Sequence, residues 1–412
     1  MTIKRRDFLK TSLSGAAALS AGSLVWPRVS EAADTIRVGG MHNLTGPFQA
    51  FGTNKLRCVE LALEEINKAG GLLGKQVELV GYDAQADNKL YAQYAQQLGL
   101  RDKVVTVFGG LTSSSREVVR PIFKRTRTLY FYNMPYEGGV CDRNIFCTGT
   151  TPGQLLANLI PHMVKKHGKK IYVLAADYNF GQISAKWTKK IAQEHGAQVI
   201  QVDYFPLDVN QFGPTISKIQ AAKPDFIVNT FVGPAHGAFY GQWAAAGMNK
   251  EIPIASQTFG EAGEHLRMPT ELSDGITVCY SYVDEIDLPT NAAFLGRFRA
   301  KFGDKYGYLG DLAVSSYLGV LIWAKGVKKA GSTDRDKVIA ALESGVSIDG
   351  PNGKITVQPE THHCVFDMYL AQMKNRKFDI LQTFKQVTPT NPQGVCNLIK
   401  NPQTNKQFEP KI

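Results

Sequence analysis

The residue order predicts an α/β fold whose parallel sheets are covered by helices on both faces. Two observations carry this. Short apolar runs alternate with amphipathic helical stretches from residue 35 to residue 256 without interruption. The chain is also long: 412 residues, less a 33-residue leader, leave about 379, enough for two domains.

Residues 35–41 form a β-rich apolar run. Over 51–69, Leu56, Val59, Leu63 and Ile66 then share one helical face, which makes a strand followed by a helix. The alternation continues with a strand at 76–83, a helix at 88–100, a strand at 104–108, a helix from 114 and a strand at 129–133. Beyond a glycine loop at 138, helices are expected at 153–166, 181–194, 212–222 and 235–246. Strands are expected at 171–176, 198–205, 226–230 and 252–256. Val314, Tyr317 and Leu321 share a face in a later helical stretch, 310–329. Strict alternation of this kind demands parallel strands, because each crossover lays a helix on one face of the sheet.

The first 33 residues read as a twin-arginine export signal: Lys4-Arg5-Arg6-Asp7-Phe8-Leu9-Lys10, an apolar run from Ser12 to Trp26, and Ser30-Glu31-Ala32-Ala33. The apolar run is too short and too broken by Ser and Gly for a bilayer span of roughly 20 residues. Export to the periplasm is therefore expected rather than anchoring, and no later segment reaches span length. The whole chain has 47 Lys and Arg against 36 Asp and Glu; without the leader the counts are 42 and 34, a net +8. These charges are scattered along amphipathic segments, which disfavours nucleic acid as a partner.

Six cysteines in an exported chain point to disulfides. Cys141 and Cys147, six residues apart in a Gly-rich loop, are the expected pair, with Cys364 and Cys396 as a second candidate that would pin the C-terminal tail. Cys58, in a helical pattern, and Cys279, in a strand pattern, read as small buried thiols.

Parallel sheets bind ligands beyond the carboxyl ends of their strands, so the turns there are where a site is sought. After Phe108 comes Gly109-Gly110-Leu111-Thr112-Ser113-Ser114-Ser115, opening a helix. Its free amides and hydroxyls suit an anion or a polarised carbonyl oxygen, or serve only as a cap. The next turn is Tyr132-Asn133-Met134-Pro135-Tyr136-Glu137-Gly138, and after Ala176 comes Asp177-Tyr178-Asn179-Phe180-Gly181. Both put aromatics at strand ends, where a ring and a hydroxyl together suit a dry site for a small polar molecule.

These residues give the chain its resemblance to the type I periplasmic solute-binding proteins of the branched-chain amino-acid transporter class, closest to the amide- and urea-binding branch. The matching stretches are His42-Asn43-Leu44-Thr45-Gly46-Pro47-Phe48, Gly70-Gly71-Leu72-Leu73-Gly74-Lys75, Pro135-Tyr136-Glu137-Gly138, Asn144-Ile145-Phe146, Asp177-Tyr178 and Pro351-Asn352-Gly353. The resemblance implies two Rossmann-like lobes joined by three hinge crossings. One would comprise 34–150 and 281–343, the other 151–280 and 344–384, with a tail at 385–412 that has no assigned role. It implies a ligand gripped by Ser113 and Thr112, walled by Leu111, Tyr132, Met134 and Tyr136, and closed over by Tyr178 and Phe180. Thr258 and Glu261 would add polar contacts from the second lobe. It also implies delivery of the solute to the permease and ATPase subunits of an ABC importer, by a monomer without cofactor or metal. Met134 and Leu111 stand where the amide-binding branch has Thr and Tyr, so the pocket is more apolar than that branch requires, and an aliphatic or aromatic part is expected in the solute.

An exported enzyme and a periplasmic sensor are the alternatives. The chain contains no nucleophile elbow, Walker loop, dinucleotide fingerprint or His-Glu-x-x-His helix. Thr361-His362-His363-Cys364 offers metal-binding side chains, yet neighbouring histidines on a strand face opposite ways. Glu64, Glu65, Asp284 and Glu285 read as solvated faces. A sensor would present the same closed form to a receptor.

Overall fold

The computed structural model describes residues 35–303, 307–389 and 394–412, and the expected export signal lies outside them. The first half of the chain builds β1 (Ile36–His42), α1 (Gln49–Lys68), β2 (Val77–Asp83), α2 (Asn88–Gln96), β3 (Thr106–Gly109), α3 (Ser113–Thr126), β4 (Leu129–Tyr132), β5 (Val140–Asp142) and β6 (Ile145–Cys147). Next come α4 (Pro152–His167), β7 (Lys170–Ala176), α5 (Asn179–Glu194), β8 (Gln198–Phe205), α6 (Gly213–Ala222), β9 (Phe226–Thr230), α7 (Ala235–Ala245), β10 (Ile254–Ser256), α8 (Thr270–Ser273) and β11 (Thr277–Tyr280). The chain finishes with α9 (Pro289–Phe302), α10 (Asp311–Ala330), α11 (Arg335–Glu343), β12 (Ser347–Gly350), β13 (Gly353–Gln358), β14 (His363–Lys374), β15 (Lys377–Val387) and β16 (Asn405–Gln407).

Local chemistry sets the helix starts. Thr151 and Gln154 form a capping box at α4, with Pro152 just inside the helix. The Asp87 carboxylate accepts from the Lys89 N–H at 2.6 Å to open α2, and Asp334 does the same for α11.

Strands β2, β1, β3, β4 and β6 lie side by side and parallel. So do β8, β7, β9, β10 and β11. The inner strands β3, β4 and β9 are buried along their whole length, whereas the edge strands β2 and β8 are only partly covered. This is why the inner strands read as continuous apolar runs and the edges do not. One strand joins the two groups. In β14, His363 pairs parallel with Cys147 of β6, and residues 369–372 pair antiparallel with β11. The β12–β13 hairpin hydrogen-bonds to the start of β14, so the chain reaches the second group inside β14, beyond the return expected at Ser344.

The chain passes between the groups through a buried polar knot. The Asp311 carboxylate, in the first turn of α10, accepts from the Ser281 hydroxyl (2.5 Å), the Ser281 N–H (3.2 Å) and the Thr150 hydroxyl (3.2 Å). The Asn352 side chain donates to the Ser281 carbonyl at 3.0 Å, and Tyr369 donates to the Asn352 carbonyl at 3.1 Å. Residues from four separate stretches of chain are thereby fixed to one another.

The disulfide differs from the expected one. Cys141 bonds to Cys396, and Cys147 is a free, buried thiol, as are Cys58, Cys279 and Cys364. Although Cys141 and Cys147 are near in sequence, β6 stays in the main sheet while β5 leaves it to pair antiparallel with β16 of the tail. The tail is thus a docked strand rather than an appendage. Two further readings change. Asp284 and Glu285 are not a solvated face: Asp284 accepts from the Tyr282 hydroxyl at 3.0 Å, and Glu285 accepts from the Tyr308 hydroxyl and the Phe378 N–H. Burial pushes the Asp284 carboxyl up to about 7. His362 has a positive φ of 58° and precedes the strand. Its ring stacks on Phe146 and bonds to Glu343, while His363 bonds to the Tyr136 hydroxyl. No helix among the described residues is long and apolar enough to cross a membrane.

Peptide mapping without reduction should join the peptides bearing Cys141 and Cys396 and leave the other four thiols alkylatable only after unfolding; a Cys141–Cys147 peptide would contradict the pairing. Asp311→Ala should cost roughly 2–4 kcal/mol in urea unfolding, because it strands the Ser281 and Thr150 donors.

Candidate functional site

The carboxyl end of β3 runs into two glycines that only glycine can occupy there. Gly109 has φ +137° and a Cβ on it would stand 2.2 Å from the Met41 carbonyl oxygen; Gly110 has φ +81° and a Cβ would meet the Tyr130 hydroxyl at 2.4 Å. This close passage turns the chain sharply and delivers Leu111 and the first residues of α3 to a cavity at the strand ends. Thr112 is the N-cap: its hydroxyl accepts from the Ser115 N–H at 3.2 Å. The amides of Ser113 and Ser114, first in the helix, precede any intrahelical acceptor and carry its positive dipole end.

The cavity lies between the two parallel groups. From the first group it is walled by Phe51 of α1, Leu111, Ser113, Met134 and Pro135; from the second by Leu155, Tyr178, Phe180, Val232 and Gly233. Its far end is Gln257, Thr258 and Glu261 in the loop after β10, with Leu312 of α10 beside them. The room inside is small, about 30 Å³ for the centres of water-sized atoms. Apolar side chains predominate, and polar groups are confined to the Ser113 turn, Tyr178 and the β10 loop.

Behind the Ser113 turn is a buried ion pair. The Ser113 hydroxyl donates to Glu137 at 2.5 Å, and Arg116 donates to the other Glu137 oxygen at 2.8 Å; both charged side chains are fully buried. The Arg116 guanidinium lies over the Tyr136 and Tyr132 rings at 4.7 and 5.2 Å. Burial works against the Arg116 charge, but Glu137, with Tyr132 and Glu117, outweighs it and holds the group well above its ordinary value. Two elements from elsewhere meet this pair. Gln407 of the tail donates to Glu137 at 2.5 Å and accepts from Arg116 at 3.0 Å, and Trp187 of α5 donates to the Glu137 carbonyl at 3.1 Å.

Of the residues expected at the site, Leu111, Ser113, Met134, Tyr178, Phe180, Thr258 and Glu261 line the cavity. Thr112, Tyr132 and Tyr136 do not. Thr112 is spent as the cap; the Tyr132 hydroxyl donates to the Leu111 carbonyl at 2.9 Å, and Tyr136 is held by His363 in the core. The Thr258 hydroxyl donates to the Phe231 carbonyl at 2.5 Å. Burial keeps the Tyr178 phenol well above its ordinary value, so it remains a neutral hydroxyl.

Sequence reasoning missed Phe51, Pro135, Leu155, Val232, Gly233, Gln257 and Leu312, because it searched only a few strand-end turns. Gln257, directly before Thr258, could have been found by the same rule. It also missed Lys55. This residue is buried in α1, donates to the Gly110 carbonyl at 2.8 Å and to the Asn133 carbonyl, and lies 4.0 Å from the Met134 sulfur. Burial pushes its ammonium down to about 7, opposed by the Glu261 and Cys58 charges.

Residues 35–377 match the sequence profile of the family described as periplasmic binding protein. The leucine-, isoleucine-, valine-, threonine- and alanine-binding protein of Pseudomonas aeruginosa is 27% identical over 367 residues, covering 88% of this chain and 93% of that protein. A Leu/Ile/Val-binding protein homolog of Brucella suis is 25% identical over 353 residues, covering 81% and 86%. Among solved structures, an R. palustris ABC-transporter solute-binding protein in complex with 4-hydroxybenzoate superposes with TM-score 0.77 at 24% identity, over 86% of this chain and 98% of that one. A branched-chain amino-acid transporter substrate-binding protein of Streptococcus pneumoniae, in complex with isoleucine, gives 0.75 at 21%, over 85% and 99%. The likeness to these structures is one of fold, the type I periplasmic binding protein fold.

Ser113→Ala should weaken solute binding by about 1–2 kcal/mol in calorimetry while leaving the unfolding midpoint nearly unchanged. Glu137→Ala should instead destabilise the protein by roughly 3–5 kcal/mol, since it leaves the Arg116 charge buried with its principal partner gone. Equal stability of the two variants would show that the ion pair does not support the turn.

Proposed function

This chain belongs to the periplasmic binding protein family, and on that premise we propose that its cavity captures one small organic acid with a compact apolar body. The observation that carries this is the division of the cavity: helix-terminal amides and Ser113 at one end, apolar walls between, and Tyr178 and Phe180 facing them from the other group of strands. Free amides at the start of a fourteen-residue helix favour an oxyanion. The apolar walls exclude water and hold the remainder of the solute.

Proteins of this family are periplasmic solute carriers of ABC transporters, and their work is binding rather than chemical conversion. Here the two parallel groups act as lobes: the solute enters while they are apart, and its contacts with both favour the closed form. The closed form then docks, as a monomer, on a membrane permease coupled to an ATPase. Residues 1–33 direct the chain to the periplasm by the twin-arginine route.

Acetamide and urea fit this reading poorly. Leu111 and Met134 occupy the wall with side chains that cannot pair amide nitrogens, and each unpaired polar atom costs about 1–3 kcal/mol. The named relatives bind aliphatic amino acids, and a neighbour in fold binds 4-hydroxybenzoate; both are carboxylates with an apolar body.

Thermal unfolding of the ligand-stripped mature protein, screened against aliphatic amino acids, benzoates, acetamide and urea, tests the reading. A carboxylate should give a saturable rise, about 2.7 kcal/mol at a hundred times Kd. A rise with acetamide or urea alone, or with none of these, would overturn it.

A further inference from the structure

The far end of the cavity holds polar atoms that nothing in the protein uses. Gln257 and Glu261 are only 3% and 4% exposed, both line the cavity, and Gln257 Nε2 and Glu261 Oε1 have no hydrogen-bond partner. The neighbouring Thr258 hydroxyl is already committed to the Phe231 carbonyl. Glu261 is also gripped from behind: its other oxygen accepts from the Leu312 N–H at 3.0 Å, and a Cβ on Gly310 would stand 2.3 Å from it. The carboxyl is therefore fixed, with one oxygen left over. An unpartnered amide donor and an unpartnered carboxyl oxygen in a dry wall are costly unless a ligand group completes them.

A lone buried carboxylate would suit an ammonium group, as on an amino acid, but this one is not alone. Lys55 is buried behind the same cavity, touching the lining residue Met134, and its charge and that of Glu261 act on each other. Its ammonium is pinned by two main-chain carbonyls and so cannot move aside. Burial, with the Asp311 charge added, pushes the Glu261 carboxyl well above its usual range and towards the protonated form. A solute ammonium arriving here would meet a resident cation and no compensating free anion. An uncharged group that accepts from Gln257 and exchanges a hydrogen bond with Glu261 meets neither obstacle.

We propose that Gln257 and Glu261 form a second polar subsite for an uncharged hydroxyl or carbonyl at the end of the solute remote from its carboxylate, and that Lys55 denies this subsite to an amino group. The solute class is then a hydroxy- or oxo-substituted carboxylic acid. This rests on the reading of the cavity as the solute site.

Calorimetry on the mature protein with benzoate, 4-hydroxybenzoate and leucine as probes tests it. The hydroxylated acid should bind wild type about tenfold more tightly than benzoate, the worth of one buried hydrogen bond, and leucine more weakly than either. In Gln257→Leu the preference for the hydroxylated acid should collapse to within about threefold. Lys55→Met should bring leucine up by about tenfold; if that variant does not fold, the wild-type ranking and Gln257→Leu decide alone. Leucine binding wild type more tightly than 4-hydroxybenzoate, or an unaltered preference in Gln257→Leu, would overturn the subsite while leaving the cavity reading intact. No binding of any probe would remove the cavity reading itself.

Discussion

The Asp311 carboxylate is the constraint on which the rest of the molecule hangs. It receives the Ser281 hydroxyl and N–H, just after β11, and the Thr150 hydroxyl, just before α4. These are places where the chain leaves one parallel group of strands for the other. A buried carboxylate is expensive unless hydrogen bonds satisfy it, and here burial pushes its pKa up to about 6 even with three donors around it. The cost is offset by geometry: the same helix start that carries Asp311 presents the Leu312 N–H to Glu261 and the Leu312 side chain to the cavity. The knot that joins the two groups therefore also positions one end of the site.

The other end is positioned by a second buried charge arrangement. Glu137 binds the Ser113 hydroxyl, Arg116 and Gln407 together. Ion pairs of this depth contribute little net stability against an apolar alternative, but they fix geometry, because either charge left alone is strongly unfavourable. The C-terminal tail takes part. The Cys141–Cys396 disulfide and the β5–β16 pairing hold it in place, Asn405 bonds to Arg120, and Glu409 reaches Lys186 of α5. A segment without assigned role in the sequence thus touches helices of both groups and supports the turn that begins α3.

The local pattern carried most of the architecture. The helices expected at 153–166 and 310–329 appear as α4 and α10, and the buried runs at 104–108 and 226–230 appear as β3 and β9, because burial on both faces writes itself as unbroken apolar sequence. The Ser113, Met134, Tyr178 and Glu261 positions were legible by the rule that sites gather beyond strand ends. Phe51 and Leu312 were not, since each sits near the start of a helix and faces the cavity only through the way α1 and α10 pack. Lys55 was hidden for a related reason: on a helix otherwise read as amphipathic, a lysine signals solvent, and only the carbonyls of Gly110 and Asn133 keep it inside.

What the sequence determined by itself was the alternation of strands and helices, their parallel arrangement and the chemistry of the turns, all of which depend on residues close together along the chain. What tertiary structure decided were pairings between distant residues: Cys141 with Cys396 rather than Cys147, Tyr132 and Tyr136 in the core rather than the cavity, and Lys55 in electrostatic reach of Glu261. Periodicity reports which face of an element is buried. It carries no information on which element comes to cover that face, and these pairings are set by that covering.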